Sequence, residues 1–346
     1  MKAMVMKNFG GAEVLSYEDV DTPELGPDDV LVEVRAVSVN RTFDIYLREG
    51  TYAHQPELPH VLGVDPSGVI TAVGENVTDR KVGDRVFCSL FQPTDRPDPY
   101  MVIPGLGPVD FLGVTIWGGY AQYVRSKAAR TVPIPDNLGF HDATVIGRHL
   151  ATAANQVENV LETKADDWVL VMGATGGLGA ACIQVAKWAG AKVIAGAGSD
   201  EKAAACLSIG ADHAINYRKQ DLTEEVRKLT DGQGVNGVCD SVADQEQFPK
   251  VIHSMARGAK LVTAGNASGS ADVPLDIRYL YLHQLQIIGE PREAPGGLQA
   301  AFARAGEGGV KALIDQVFPL SRAVEAQARV ESNAGIGKIV IDPTLD

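Results

Sequence analysis

The run Gly173-Ala-Thr-Gly-Gly-Leu-Gly179 joins an apolar segment to one with helical spacing. Such a loop can hold a pyrophosphate, because the free N–H groups and the dipole of a helix N-terminus favour anions. Gly176 lets the backbone approach the phosphates, and Gly179 lets the helix pack closely on the strand. Read strictly, the motif is Ala174-x-Gly176-x-x-Gly179, with alanine at its first position. Alone it would be weak. Here Trp168-Val-Leu-Val-Met172 reads as the preceding strand, residues 180–188 as the helix and Lys192-Val-Ile-Ala195 as the next strand. That is the context a dinucleotide site requires. Ala174, Thr175, Gly176, Gly177, Leu178 and Gly179 are therefore expected to hold a nicotinamide dinucleotide on a Rossmann-type βαβ unit. The competing reading is a glycine-rich turn without a ligand.

The end of the second strand decides which dinucleotide. A site for NAD usually carries Asp or Glu there, bonded to the ribose 2′-hydroxyl. This chain has the small, uncharged Ala195-Gly-Ala-Gly-Ser199. Ser199 can offer a hydroxyl to a 2′-phosphate, Lys202 a cation and Tyr217 a stacking ring, with Arg218 next to it. NADPH is the expected cofactor. Otherwise Ser199 is a plain helix N-cap and Lys202 a solvated residue, and Asp200 or Glu201 could reach a ribose and restore NAD.

Length and composition narrow the class. With 346 residues the chain is too long for one ordinary core and fits two domains. A hydrophobic content of 45% describes a globular protein. The net charge of −13 argues against a nucleic-acid surface, which needs clustered Lys and Arg. No apolar run reaches the roughly 18–20 residues that span a bilayer. The start, Met1-Lys-Ala-Met-Val-Met-Lys-Asn8, lacks the apolar stretch of a signal peptide. A cytoplasmic protein is expected. Cys88, Cys182, Cys206 and Cys239 are scattered without a CxxC pair, which suits neither a disulfide framework nor a four-cysteine metal site.

Two textures divide the chain. Val30-Leu-Val-Glu-Val-Arg-Ala-Val-Ser-Val39 and Gly68-Val-Ile-Thr-Ala-Val73 are β-branched and partly alternating, with turns such as Val82-Gly-Asp-Arg85, so a mostly antiparallel β domain is expected first. From about Trp168 strands alternate with helical segments. Residues 199–209 read as the second helix, closed by Gly210, and further strands are expected at 213–217, 235–239, 260–264 and 286–288. That spacing implies a parallel, doubly wound sheet. The tail 298–346, with helical stretches and a final strand at 337–341, is expected to return and complete the first domain.

The glycine loop, Gly63-Val-Asp65, Gly68, Val73-Gly74, Val82-Gly-Asp-Arg-Val86, Gly118-Gly-Tyr-Ala-Gln-Tyr-Val124 and Gly337-Lys-Ile-Val340 together resemble the medium-chain dehydrogenase/reductase superfamily, nearly end to end. The resemblance implies an α/β fold: a GroES-like, mostly β catalytic domain plus a doubly wound parallel Rossmann domain, with the active site in the cleft between them. The expected bounds are 1–150 and 291–346 for the former, 151–290 for the latter. Zinc-dependent members carry an early Cys, a Gly-His-Glu triplet and a further Cys, His or Glu near the domain junction. Here the stretches are Ser38-Val-Asn-Arg-Thr-Phe-Asp44, Gly63-Val-Asp65 and Ile146-Gly-Arg-His-Leu150, with Arg148 near the last ligand position and His149 one residue off. Three protein ligands cannot be assembled from these, so no catalytic metal is expected. Residues 86–113 match the length of a lobe that holds structural zinc in many relatives, yet contain Cys88 alone.

Without a Lewis acid, a carbonyl must be polarised by hydrogen-bond donors and reduced by the cofactor. The zinc-free quinone oxidoreductase-like group, which this chain best resembles, reduces quinones or activated C=C bonds. Its Ser-Val-Asn, Asp and Arg-x-Gly features recur as Ser38-Val-Asn40, Asp44 and Arg48-Glu-Gly50, with Phe43 as one extra residue before Asp44. Asn40 would sit by the nicotinamide and bond the substrate carbonyl, or else be a buried structural residue. Tyr46 and Tyr52 are candidate proton donors or simple packing residues. Arg148 could stabilise an enolate oxygen and His149 could shuttle a proton, or the two could form an interdomain salt bridge. Gly265 and Asn266 follow a strand end where the backbone would meet the nicotinamide, and Lys338 is a candidate phosphate contact.

The leading reading is NADPH-dependent reduction of a quinone, enone or enal, a small-molecule substrate, by metal-free hydride transfer. A metal-free ketone or alcohol dehydrogenase is the second reading, and an NADPH-binding protein without turnover, crystallin-like or regulatory, the third. A homodimer or homotetramer is expected, because a strand near 286–289 would form an edge that needs cover.

Overall fold

The computed structural model describes residues 1–96, 99, 101–103, 106–270 and 272–346. It divides into two compact units, Met1–Arg148 with Phe302–Gly309 and Ile314–Asp346, and His149–Ala301 with Val310–Leu313. Residues 291–301, grouped by sequence with the first domain, pack in the second unit, and the returning tail enters the first unit at Phe302.

The first unit is mostly antiparallel β. Its largest sheet runs Thr131–Pro133, Arg85–Cys88, Ser67–Val73, Asp29–Ser38, Lys338–Asp342, Ile314–Pro319, and Tyr123–Lys127 also pairs with Asp29–Ser38. Along Asp29–Ser38 the valines at 30, 32 and 34 face inward while Glu33 and Arg35 face outward, the period of a half-buried strand. The valines join a core with Met4, Met6, Leu62, Ile70, Val86, Phe111 and Ile341. The tail enters this sheet directly. Lys338–Asp342 lies antiparallel to Asp29–Ser38, with Val340 opposite Ser38 and Ile341 opposite Val37. That register sets Lys338 beside residues 39 and 40.

The segment after Asp29–Ser38 winds as a π-turn, Arg41–Ile45, before one ordinary helical turn at Tyr46–Arg48. A π-turn carries one residue more than the α-helix it replaces. Phe43 lies within this turn, and Asp44 is turned inward and fully buried.

The second unit holds a parallel sheet of six strands among the described residues, ordered His213–Asn216, Lys192–Ala197, Trp168–Met172, Val235–Cys239, Met255–Thr263, Gln286–Gly289. The chain order reverses at Trp168–Met172, and in such sheets ligands bind beyond the C-terminal end of the strand at that switch point. The central strands are apolar because helices cover both faces. Leu170, Ile194, Val238 and Leu261 are completely buried in one cluster. Helix Gly177–Trp188 ends before Gly190 and helix Asp200–Ser208 before Gly210, whose φ of +82° and +111° are left-handed values that glycine adopts without a Cβ penalty. No helix among the described residues is long and apolar enough to cross a membrane.

Leu170→Ala removes a fully enclosed side chain from the middle of the parallel sheet. It should cost about 2–5 kcal/mol of unfolding free energy in urea denaturation; a loss under about 1 kcal/mol would mean the core there is not close-packed.

Candidate functional site

In the second unit, Gly173 ends the strand at φ +62°, which turns the chain back over the sheet. Gly176 is the N-cap of helix Gly177–Trp188, its N–H bonded to Gly173 O at 2.9 Å, and no side chain caps the helix. The first-turn N–H groups therefore face outward at the positive end of a twelve-residue helix. A Cβ on Gly179 would lie 2.4 Å from Gly173 O, so helix and strand approach too closely for any side chain. Ala174 is buried beneath this turn, with Thr175 and Leu178 beside it in the loop. These features fit a diphosphate.

Gly177 has a second constraint. Its Cβ would stand 2.2 Å from Cδ2 and Nε2 of His149, so the imidazole lies against the first residue of the helix. His149, by sequence a candidate proton shuttle or salt-bridge partner, lies against the glycine loop.

At the end of strand Lys192–Ala197, Ser199 caps the next helix and its Oγ accepts the Lys202 N–H at 3.2 Å. The capping role weighed for Ser199 is thus present, and its hydroxyl also bonds the Glu201 carboxylate. A Cβ on Gly198 would lie 3.0 Å from Tyr217 Oη and 3.6 Å from Arg218 Nε, which gathers a phenol and a guanidinium at this corner. Asp200, the alternative ribose acceptor, is bonded to Asn216 Nδ2 at 2.6 Å and Lys219 Nζ at 2.5 Å. Beyond strand Met255–Thr263, Gly265 O accepts the Thr263 hydroxyl at 3.1 Å, and the exposed Asn266 donates to Ser270 O at 3.1 Å.

The first unit gathers a buried polar cluster. Asp65 accepts from Ser38 N (2.7 Å), Ser38 Oγ (2.5 Å) and Asn40 Nδ2 (2.9 Å), while Thr144 Oγ1 donates to its backbone carbonyl. Asp44 accepts the N–H groups of Asn40 (2.6 Å) and Gly63 (3.2 Å). Lys338 Nζ donates to Val39 O at 2.6 Å and Asn40 Oδ1 at 2.7 Å. Asn40 also donates to Ser38 O and Oγ at 3.2 Å, so its amide is committed at both ends. Lys338, expected at a phosphate, is bonded to this cluster instead.

Electrostatics follow from the crowding. Burial, reinforced by the nearby Asp65 charge, pushes the Asp44 carboxyl up to about 7 despite the two N–H bonds and Lys338. Burial pulls the Lys338 ammonium down to about 8; Asp65 and Asp44 oppose that shift and the Arg148 cation adds to it. Tyr120, fully enclosed, is held well above its ordinary value by burial first and by Asp44 next. Arg148 rests its guanidinium on the Phe43 ring at 4.8 Å, and its Nε is buried without a hydrogen-bond partner among the described residues. Tyr46 is half-buried at the exit of the π-turn, where its carbonyl accepts the N–H groups of Thr51 and Tyr52.

Asp65 and Thr144 were missed as site residues. Asp65 left a trace, a carboxylate between the apolar Val64 and Pro66, but Thr144 left none. Nor did the seat that Phe43 provides for Arg148, which depends on a π-turn invisible to periodicity. The polar set here is Asn40, Asp44, Asp65, Lys338 and Arg148. Two cations with neither thiolate nor imidazole do not fit a zinc ion, and among the described residues no group of three or more His, Cys, Asp or Glu is placed to hold a metal.

Residues 26–136 match the family model of an alcohol dehydrogenase GroES-like domain, and residues 177–305 that of a zinc-binding dehydrogenase. A quinone oxidoreductase from Pseudomonas aeruginosa is 30% identical, with 97% of either chain covered. An alcohol dehydrogenase from Geobacillus stearothermophilus is also 30% identical, with 99% of either chain covered. A solved NAD-dependent alcohol dehydrogenase is 35% identical, covers 99% of each chain and superposes with a TM-score of 0.91.

Gly177→Ala should collide with the imidazole and cost about 1–3 kcal/mol of stability. Adding His149→Ala should restore most of that loss in urea unfolding; additive losses would mean the two residues do not touch.

Proposed function

The chain belongs to the medium-chain dehydrogenase/reductase superfamily, in its quinone oxidoreductase-like branch, and on that premise we propose that it is an NADPH-dependent oxidoreductase reducing a quinone or a C=C bond conjugated to a carbonyl, without a catalytic metal. An oxidoreductase follows from the family; cofactor and substrate class are the proposal. The observation that carries it is the polar cluster of the first unit, where cations and hydrogen-bond donors stand and zinc ligands do not.

A bound nicotinamide would supply the hydride. Ala174, Thr175, Gly176, Gly177, Leu178 and Gly179 would hold its diphosphate through backbone N–H groups, with His149 against the same turn. Ser199, Lys202, Tyr217 and Arg218 would receive the 2′-phosphate, a reading supported by the engagement of Asp200 with Asn216 and Lys219. Gly265 and Asn266 would border the nicotinamide. Toward the substrate, Arg148 would stabilise negative charge developing on oxygen, Asn40 would order the cluster and Tyr46 would border the substrate.

A ketone or alcohol dehydrogenase is the second reading, favoured by the 35% identical alcohol dehydrogenase structure. Following absorbance at 340 nm with NADPH or NADH and a panel of quinones, enals and saturated ketones separates the readings. The proposal expects turnover with quinones or enals, and NADPH preferred over NADH by at least tenfold. Turnover of saturated ketones alone would establish the second reading, and NADPH binding without turnover of any substrate would make the chain a cofactor-binding protein.

We also propose a homodimer or homotetramer. The sheet of the second unit ends in Gln286–Gly289, and next to it in sequence Ile277, Tyr281 and Leu282 are 59%, 63% and 51% exposed. An open strand edge with apolar neighbours invites a second copy. Sedimentation should give a multiple of the chain mass, and Ile287→Asp should shift it toward the monomer; a monomeric wild type would contradict the assembly.

A further inference from the structure

We propose that Lys338 is the acid of the reduction: its ammonium gives the proton to the substrate oxygen on which negative charge collects. The inference rests on the reductase reading above, and concerns the one cation of the first unit's cluster that can lose a proton.

Strand pairing brings Lys338 to the place, since Val340 faces Ser38 and the lysine stem runs back along Val39 and Asn40. An ammonium has three N–H bonds. Two are held by Val39 O and Asn40 Oδ1, and the third has no hydrogen-bond partner among the described residues. The residue as a whole is half-buried, while its ammonium is enclosed. Asn40 cannot take this part: its Nδ2 already serves Asp65 and Ser38, and its Oδ1 serves the lysine. It is a positioning residue for Lys338.

The charges facing the ammonium tune it. Asp65 and Asp44 favour the protonated form, whereas burial and Arg148 favour release, and the balance lies at about 8. A group poised there is largely protonated at neutral pH and still gives up a proton readily, as general acid catalysis requires. Arg148 carries its charge permanently and cannot do so.

The step balances. A bound reduced nicotinamide would supply the hydride, two electrons and one hydrogen, to a substrate carbon, and the carbonyl or conjugated π pair would move onto oxygen. The Nζ–H bond of Lys338 breaks as the O–H bond forms, and the neutral amine is then reprotonated by a proton from solution, so that each turnover consumes one hydride and one proton. The substrate would have gained two hydrogens, as an enol or, from a quinone, as the dienone tautomer that becomes the hydroquinone when its ring C–H proton moves to oxygen, and the cofactor would have lost the hydride.

Lys338→Met and Lys338→Arg in the full chain test this, beside the wild type. Lys338→Met should lower kcat about 10²–10⁴-fold while the NADPH dissociation constant, read by fluorescence, changes less than about threefold. The wild-type rate should fall above a pH near 8, and Lys338→Arg, which retains the charge, should abolish that limb. Independently of turnover, the ¹⁵N resonance of the Lys338 ammonium in the wild type should titrate near 8. Titration near 10.5 overturns the assignment even if every substrate proves inactive or Lys338→Met fails to fold. So does an active Lys338→Met enzyme with the limb retained. NADPH binding weakened in parallel with kcat/KM also overturns it, and would make Lys338 a phosphate contact. A wild type active on no substrate would instead remove the reductase reading, which the panel alone detects.

Discussion

The antiparallel pairing of Lys338–Asp342 with Asp29–Ser38 is the contact on which the first unit's chemistry depends. It binds the end of the chain to its first long strand and delivers an ammonium to a place where two carboxylates, Asp44 and Asp65, are already enclosed. Buried charges are costly unless paired and hydrogen-bonded. The cluster meets that demand with backbone donors from Ser38, Asn40 and Gly63 and with the cation of Lys338. Removing any one partner would leave another unsatisfied, so the group acts as a unit.

The second unit solves a different problem by different means. A diphosphate would be met by backbone N–H groups rather than by side chains, and the constraint is therefore steric. Gly179 is fixed by the Gly173 carbonyl and Gly177 by the imidazole of His149. The first contact belongs to any closely packed strand–turn–helix. The second belongs to this chain, because it requires a ring at position 149.

Much of the fold was legible in the sequence. The strand–loop–helix at 168–188, the helix closures at Gly190 and Gly210 and the parallel order of the later strands all follow from local signals that the packing does not override. The return of the tail was legible too, though its point of entry was not, since residues 291–301 carry no pattern that assigns them to one core. The site was read less completely. Glycines announce themselves by type, whereas Asn40 stood open between a substrate ligand and a buried structural residue, because nothing local reveals that Asp65, Ser38 and Lys338 engage its amide. Lys338 looked like a phosphate contact for the same reason: its partners lie about three hundred residues away in sequence. The π-turn that presents the Phe43 ring to Arg148 emerges only in three dimensions.

The central claim is that two cations of the first unit's polar cluster, Lys338 and Arg148, rather than a metal ion, would polarise the substrate for hydride transfer. It is tested most directly by the rate of NADPH oxidation by a benzoquinone after exhaustive dialysis against a strong zinc chelator. The account predicts the same rate before and after, and no gain on adding zinc. Loss of activity restored in proportion to added zinc would contradict it.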